Sequence, residues 1–213
     1  MVVSADGATS LDGRSGQLGG ESDRAMFQAL RAQADVILVG GGTVRAERYR
    51  PPRAYQEAQD QRRSRSQQPR PRLLVVTGSL DLDPSLPLFD DPDNRPLVAT
   101  TGTALADDQS GVAERAEIIV AGESSVDLAD AMAAVHKLGL GRVLCEGGPG
   151  LNGQMIAAGL IDEWNLTIAP LLVGGDSDKA AMGPLPGGPP ADLALDRVWL
   201  ADHTLFCRWI RRR

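Results

Sequence analysis

Residues 143–175 read VLCEGGPGLNGQMIAAGLIDEWNLTIAPLLVGG. An apolar strand pattern at Val143–Cys145 ends in one acidic residue, Glu146, and a glycine-dense turn follows at once. A helical pattern then runs from Leu151 to Leu160, and a second strand pattern covers residues 164–170. A strand that feeds a glycine-rich turn into a helix N-terminus is typical of an anion-binding cradle, because backbone N–H groups approach the phosphate and the helix dipole favours negative charge. The stretch therefore predicts a nucleotide cofactor beside a carboxylate that grips a polar ring.

The composition is that of an ordinary globular enzyme. The chain has 213 residues, 42% of them apolar, which is enough for one large domain with its own core. A net charge of −6 argues against a nucleic-acid partner. No apolar run approaches the ~18 residues of a membrane span, and no signal-peptide pattern follows Met1.

The cysteines and histidines predict no metal site. Cys145 and Cys207 lie in apolar runs without metal-ligand spacing, so we expect buried free thiols in a reducing compartment. His136 and His203 are isolated in the sequence, and we expect both to be structural or solvated.

Strand and helix patterns alternate along most of the chain, which predicts an α/β fold. The chain closes with two strand patterns, 197–200 and 205–210, around a turn, which adds an antiparallel hairpin to a mostly parallel, mixed sheet. Residues 47–71 are polar and rich in arginine, and predict a long mobile surface loop. The remaining predicted elements are strands at 36–39, 73–77, 97–101 and 118–121, and helices at 23–34 (with Ser22 as N-cap) and 127–138.

Two glycine-rich turns follow apolar strands, Gly40–Thr43 and Gly147–Gly153. They predict two sides of one dinucleotide site, with a pair of merely tight turns as the alternative. The second turn matches GxGxxG, but it falls late in the chain, which differs from a plain Rossmann domain. In the helix of residues 23–34, Asp23 is a dipole-favoured acid or a functional one. Arg31 lies eight residues on, about 80° around the helix, as a solvated or ion-paired side chain or a phosphate ligand.

Five motifs occur in order and at family-like spacing: SADG at 4–7, LRAQAD at 30–35, VGGGTVRA at 39–46, EGGP at 146–149 and LIDEWNLTIAP at 160–170. Together they resemble the reductase domain of the riboflavin biosynthesis protein RibD over nearly the whole chain. The resemblance implies a dihydrofolate reductase-like, three-layer α/β/α fold and a single reductase domain over residues 1–213. It also implies a cytoplasmic homodimer that uses NADPH to reduce the ribosyl group of an aminopyrimidine ribonucleotide to ribityl.

The resemblance carries site roles onto particular positions. Ser15, Arg31 and Glu146 match substrate-contact positions: Arg31 would clamp the 5′-phosphate, and Glu146 would accept hydrogen bonds from the pyrimidine. Asp23 is the expected proton donor or orienting group, with Asp6 as its rival. The positions that match cofactor contacts are Gly41, Gly42, Thr43, Glu47, Thr77, Gly78, Gly147, Gly148, Pro149, Gly150, Leu151, Asn152, Gly153 and Gln154.

The chain also departs from the family pattern. We expect no zinc deaminase domain beside the reductase domain, and the start of the sequence predicts a shortened first strand. Residues 47–52 read ERYRPP where many members read DDPxLTxR, so Arg50 or Arg53 is the candidate to replace the lost arginine. A dihydrofolate or pteridine reductase, and a non-catalytic nucleotide-binding module, are the alternative functions. The sequence leaves open NADPH against NADH, and a uracil-type against a diamino-pyrimidinone substrate.

Overall fold

A computed structural model describes residues 1–11, 15–53, 55–183, 187 and 189–212. The strands are β1 (Val2–Ser4), β2 (Val36–Gly40), β3 (Arg72–Val76), β4 (Leu97–Thr100), β5 (Glu117–Val120), β6 (Val143–Cys145), β7 (Glu163–Ala169), β8 (Leu193–Ala201) and β9 (Thr204–Arg211). The α-helices are α1 (Glu21–Gln33), α2 (Gly41–Glu47), α3 (Gln59–Ser64), α4 (Gly102–Ala106), α5 (Val112–Arg115), α6 (Leu128–Lys137) and α7 (Pro149–Ala157). Short 3₁₀ helices cover Ser15–Gln17, Gln56–Ala58, Pro87–Phe89 and Pro92–Asn94.

The chain divides into two compact units, one of residues 29–147 and one of residues 1–28 with 148–213. The first unit holds a five-stranded parallel sheet in the order β5-β4-β3-β2-β6. Its strand β2 is apolar on both faces because both faces are buried: Val36–Val39 are at most 1% exposed. Residues from the connection after β3, among them Leu82 and Phe89, join the core cluster of this sheet.

The second unit holds a four-stranded mixed sheet in the order β1-β7-β9-β8. β1 runs parallel to β7, and β9 pairs antiparallel with both β7 and β8. The hairpin turns at Asp202 and His203, which have φ values of 49° and 60°, the backbone of the tight turn that matches strand twist. The expected α/β class, with parallel strands and a C-terminal antiparallel hairpin, is confirmed. The single domain over residues 1–213 stays a prediction.

Two local predictions need correction. α1 begins at Glu21, so Ser22 lies inside its first turn instead of capping it. Residues 47–71 do not form a structureless loop, because the segment contains α3. Arg62 of α3 is 1% exposed and donates to the carbonyl oxygens of Ala32, Ala34 and Gln68. A buried guanidinium thus anchors a segment that has few apolar residues.

Other elements were predicted closely. The helix expected at 127–138 is α6, and Asp127 is its N-cap, accepting from the backbone N–H groups of Ala129 and Asp130.

In the described part of the chain, no helix combines the length and apolarity that crossing a bilayer requires.

Candidate functional site

The parallel sheet changes direction between β2 and β6. Strands β2 to β5 follow one another across the sheet, whereas β6 returns to the other side of β2. Ligands of open α/β sheets bind at the carboxyl ends of strands where the order reverses in this way. The two strand ends are tied together, since the Gly40 N–H donates to the Gly147 carbonyl at 2.8 Å. Gly147 has φ +89°, a conformation that favours glycine, and Glu146 is the first residue after β6.

Glu146 is the centre of a buried polar cluster at this point. Arg31 Nε donates to its Oε1 and Arg31 Nη2 to its Oε2, both at 2.6 Å. The Tyr49 hydroxyl donates to Oε2, also at 2.6 Å. The Glu146 side chain is 3% exposed and that of Arg31 is 25% exposed. Arg31 therefore binds the Glu146 carboxylate through two nitrogen atoms, and the carboxylate is largely shielded from solvent.

The pKa directions follow from this burial and pairing. Burial alone would lower the pKa of Arg31, but the hydrogen bonds and charge of Glu146 outweigh it and hold the pKa above its usual value. The pKa of Tyr49 is raised far above its usual range, first by burial and then by the charge of Glu146 and the hydrogen bond to it. Arg31 thus stays charged, and the Tyr49 hydroxyl stays a donor.

The structure brings two predicted substrate residues, Arg31 and Glu146, into contact with each other. Three donors occupy a carboxylate that offers about four acceptor positions. The separate contacts expected of them, one to a phosphate and one to a pyrimidine, stay predictions. Sequence reasoning missed Tyr49, and the available signal was its place as the aromatic residue of the divergent run 47–52.

The glycines of the first turn have different surroundings. A Cβ on Gly41 would lie 3.1 Å from that of buried Thr77, so this glycine permits close packing of α2 on the end of β3. A Cβ on Gly42 or Gly78 would meet nothing, which leaves their backbone accessible to a ligand. Thr43 is half-buried in the first turn of α2, and Glu47, at the end of that helix, is exposed.

A cavity of about 420 Å³ opens beside Gly78, where β3 and β4 end. Its walls are mostly small and polar, and they include three aspartates and no basic side chain. The pKa of Asp108 lies below its ordinary value because the Ser110 side chain donates to it, so this wall stays negatively charged. The lining residues are Gly78, Ser79, Leu80, Asp81, Thr101, Thr103, Ala104, Asp107, Asp108, Gln109, Ser110 and Ser124.

The predicted pyrophosphate turn lies at the start of α7, in the unit of residues 1–28 with 148–213. Gly148 is its N-cap, without a side-chain cap, and Pro149 is its first residue. A Cβ on Gly150 would meet nothing, and Gln154 is exposed. Leu151, Asn152 and Gly153 are instead buried.

The buried positions of α7 hold the segment of residues 180–183. Asn152 Nδ2 donates to the Ala180 carbonyl at 2.7 Å, and the Met182 N–H donates to the Pro149 carbonyl at 2.9 Å. A Cβ on Gly153 would collide with the Met182 carbonyl. These contacts give Asn152 and Gly153 a packing role, and their contact with a cofactor stays a prediction.

The two candidate proton donors differ in their surroundings. Asp6 accepts from the Ser4 hydroxyl, from Gly174 N–H at 2.7 Å and from Val173 N–H at 3.2 Å. These hydrogen bonds, that of Ser4 first, lower the pKa of Asp6 to about 2. Asp23 lies in the first turn of α1 with its carboxyl group against Gly19, where a Cβ would collide with it. The side chain of Ser15, the third predicted substrate contact, lies outside the described residues.

Cys145 adjoins Glu146 but is a poor nucleophile. Burial, reinforced by the charge of Glu146, raises the pKa of its thiol to about 11, although a hydrogen bond from the Gly147 N–H opposes the shift. The thiol therefore stays protonated at neutral pH.

Known proteins resemble this chain along most of its length. Residues 1–198 match the model of the RibD C-terminal domain. The 2,5-diamino-6-ribosylamino-4(3H)-pyrimidinone 5′-phosphate reductase of Archaeoglobus fulgidus is 30% identical over 82% of this chain and 80% of its own. The enzyme of the same name from Methanothermobacter thermautotrophicus is 31% identical over 81% of this chain and 79% of its own.

The structural comparison agrees with the sequence comparison. The crystal structure of a pyrimidine reductase-like protein from Corynebacterium diphtheriae has a TM-score of 0.85 and 29% identity, covering 100% of this chain and 90% of that one. The ordered motifs, the sheet topology and these matches agree, and the chain belongs to the RibD C-terminal domain family.

Proposed function

We propose that this protein is a nicotinamide-dependent reductase of riboflavin biosynthesis. It reduces the ribosyl group of an aminopyrimidine ribosylamino 5′-phosphate to ribityl by hydride transfer to C1′. The observation that carries the proposal is the Arg31–Glu146–Tyr49 cluster at the reversal of strand order, in a chain of the RibD C-terminal domain family. The relatives from Archaeoglobus fulgidus and Methanothermobacter thermautotrophicus are both named for such a reductase, with the diamino-pyrimidinone in the name.

The cofactor proposed from the family is NADPH. Each of the two glycine-rich turns suits a phosphate group, because Gly42 in the first and Gly150 in the second leave backbone open to a close-lying ligand. Residues that would hold the cofactor are Thr43 and Glu47 beside the first turn, Gly148–Gln154 at the second, and Thr77 with Gly78 beside the cavity. The bound nicotinamide supplies the hydride, and this chain supplies position and charge. The cavity lining offers a 2′-phosphate no counter-charge, so NADPH and NADH both belong in the assay.

Proton delivery is assigned to Asp23. The ring-opened ribosylamine is an imine, and a proton on its nitrogen makes C1′ a better hydride acceptor. Asp6, with a pKa of about 2, is ionised near neutral pH and has no proton to give. Asp6 is therefore the less suited of the two rivals, and the assignment of Asp23 rests on the family resemblance.

We also propose that the protein is a cytoplasmic homodimer. The free thiols of Cys145 and Cys207 suit a reducing compartment. The outer strand β8 presents several exposed apolar side chains, as expected of a surface that a second copy covers.

A pteridine reductase is the second candidate function. It rests on the same carboxylate, since a 2-aminopyrimidinone ring also requires an acceptor such as Glu146. The non-catalytic module is less favoured, because a protein without chemistry has no need of Ser15, Asp23, Arg31 and Glu146 together.

The deciding experiment measures oxidation of the reduced nicotinamide cofactor with three substrates in parallel. They are 5-amino-6-ribosylaminouracil 5′-phosphate, its diamino-pyrimidinone counterpart and dihydrofolate. Each is assayed with NADPH and NADH, for the wild type and the Glu146→Gln, Asp23→Asn and Asp6→Asn variants. We expect turnover of a ribosylamino substrate that falls at least about 100-fold in Asp23→Asn and less than about 10-fold in Asp6→Asn. Turnover of dihydrofolate alone would indicate a pteridine reductase instead. Cofactor binding without any turnover would favour the module.

A further inference from the structure

Tyr49 belongs to the run of residues 47–52 in which this chain departs from the family motif. α2 ends just before it, because Arg48 adopts the left-handed conformation (φ 47°, ψ 57°) and its N–H bonds to the Val44 carbonyl. The Tyr49 N–H also reaches the Val44 carbonyl, at 3.3 Å. This helix end turns the chain inward, and the Tyr49 ring packs against the apolar core of the parallel sheet.

The Tyr49 hydroxyl contacts Glu146, and one face of the Tyr49 ring lies toward Arg31. The hydroxyl donates to Oε2 at 2.6 Å, and the Arg31 guanidinium lies 5.9 Å from the ring centroid, within the range of a cation–π contact. Tyr49 therefore contacts both partners of the ion pair. Among the described residues, Arg31 and Tyr49 are the side chains that donate to Glu146.

A third donor restricts the movement that an arginine–carboxylate pair keeps on its own. An arginine fork fixes the plane of a carboxylate relative to itself, but two long side chains still move as a pair. The terminal torsion of a glutamate is also broad. A donor on a rigid aromatic ring, held by the core, removes this freedom, and site groups need such support to stay within about 0.5 Å of a productive position.

We propose that Tyr49 is a positioning residue of the reductase site, which holds the Glu146 carboxylate and the Arg31 guanidinium in the orientation that receives the pyrimidine ribonucleotide. The inference rests on the proposed function for the substrate, but not for the Tyr49–Glu146 contact itself. It also gives the divergent run a role, because the tyrosine that this run supplies acts on the same two residues to which the family assigns substrate contacts.

The contact is tested without substrate by titrating tyrosine ionisation in the ultraviolet. The chain has only two tyrosines, so the Tyr55→Phe variant reports on Tyr49 alone. We expect Tyr49 in this background to stay protonated over the accessible alkaline range, and Glu146→Gln to lower its midpoint by at least about one pH unit, since the variant removes a neighbouring negative charge. Equal midpoints would overturn the proposal.

A second measurement covers the case in which Glu146→Gln unfolds in alkali. At neutral pH, the buried Tyr49 hydroxyl proton is expected as a slowly exchanging proton resonance in Tyr55→Phe that is lost in Tyr49→Phe. Its absence from the folded Tyr55→Phe protein would also overturn the proposal.

The functional arm compares Tyr49→Phe with the matched control Tyr55→Phe on the ribosylamino substrate. We expect the KM of Tyr49→Phe to rise about tenfold or more, the scale of one hydrogen bond to a charged group, with kcat within about twofold of wild type. The control should keep both constants. A Tyr49→Phe enzyme with unchanged KM, even if less heat-stable, would reduce Tyr49 to a packing residue. Wild-type protein without turnover would refute the proposed function, while the titration would still decide the contact.

Discussion

At the scale of single residues, Asp6 ties two loops together through its carboxylate, and its role as an acid catalyst stays a prediction. Its carboxylate accepts from one hydroxyl and from the N–H groups of Val173 and Gly174, and so ties the loop after β1 to the loop after β7. Both loops belong to the same unit. A carboxylate that accepts several hydrogen bonds is stabilised as an anion, which is why its pKa is low.

This low pKa predicts a dependence of stability on pH. The folded-state pKa of about 2 lies below the ordinary 3.8, so the contribution of Asp6 is complete above about pH 4 and is lost as the pH falls toward 2. We expect the free energy of unfolding to fall more steeply from pH 4 to pH 2 in wild type than in Asp6→Asn. Urea unfolding across this range measures the difference, and parallel curves would contradict it.

The Arg31–Glu146 pair predicts a strongly non-additive double mutant. Arg31→Met leaves the carboxylate, 3% exposed, without its counter-charge, and we expect a loss of about 3 kcal/mol in the free energy of unfolding. Adding Glu146→Gln removes that charge but keeps an acceptor for the Tyr49 hydroxyl, so the double variant should recover most of the loss. Chemical denaturation of wild type, both single variants and the double variant completes the cycle.

The activity of the same variants separates stability from function. If the pair contacts substrate as proposed, the double variant stays inactive although its stability is nearly restored. Additive losses of stability would mean that the two side chains do not interact as the 2.6 Å contacts indicate.

At the scale of elements, α7 is predicted to use two of its glycines differently. Gly153→Ala forces the Met182 carbonyl away from the helix, and we expect a loss of about 1–3 kcal/mol in stability. Gly150→Ala has open space and gains up to about 1 kcal/mol of helix propensity, so stability should hold or rise.

At Gly150, substitution by alanine should weaken cofactor binding although it does not lower stability. Gly150→Ala adds a methyl group where a phosphate is expected to approach the backbone, so its Kd for the cofactor should rise although the fold is intact. Thermal unfolding and calorimetric titration of both variants measure the two effects. A Gly150→Ala protein with wild-type affinity would remove Gly150 from the cofactor site.

Elements whose cause is local could be predicted from the sequence, whereas those that depend on distant partners could not. β2 follows from a run that is apolar on both faces, and α6 from Asp127 followed by a helical apolar period. α3 was missed because Arg62 anchors it to carbonyl groups some 30 residues away in the chain. Arg31 and Glu146 were both named, but their pairing joins residues 115 positions apart, and no spacing rule predicts it.

At the scale of the molecule, one face of the mixed sheet carries three apolar rows across strands β7, β9 and β8, with the charged Arg211 on the same face at the end of β9. Cross-strand neighbours share a face, and the rows of this one are Ile168–Leu205–Leu200, Leu166–Cys207–Val198 and Trp164–Trp209–Leu195. The opposite face carries Glu163, Asn165 and Arg208 instead. The apolar face is uncovered toward its edge, where Leu195, Val198 and Leu200 are 56%, 50% and 71% exposed.

This face predicts how two copies associate. Homodimer interfaces are more apolar than other surfaces, and a two-fold contact buries the same patch on each copy. We therefore expect wild-type protein to sediment as a dimer at micromolar concentrations and Leu200→Glu to weaken the dimer at least about 100-fold, because a buried, unpaired charge costs several kcal/mol. Leu200 is so exposed that the variant should still fold. Arg197→Glu changes a charge on the opposite face of the same strand and serves as the control. A monomeric wild type, or equal dissociation in both variants, would exclude this face as the interface.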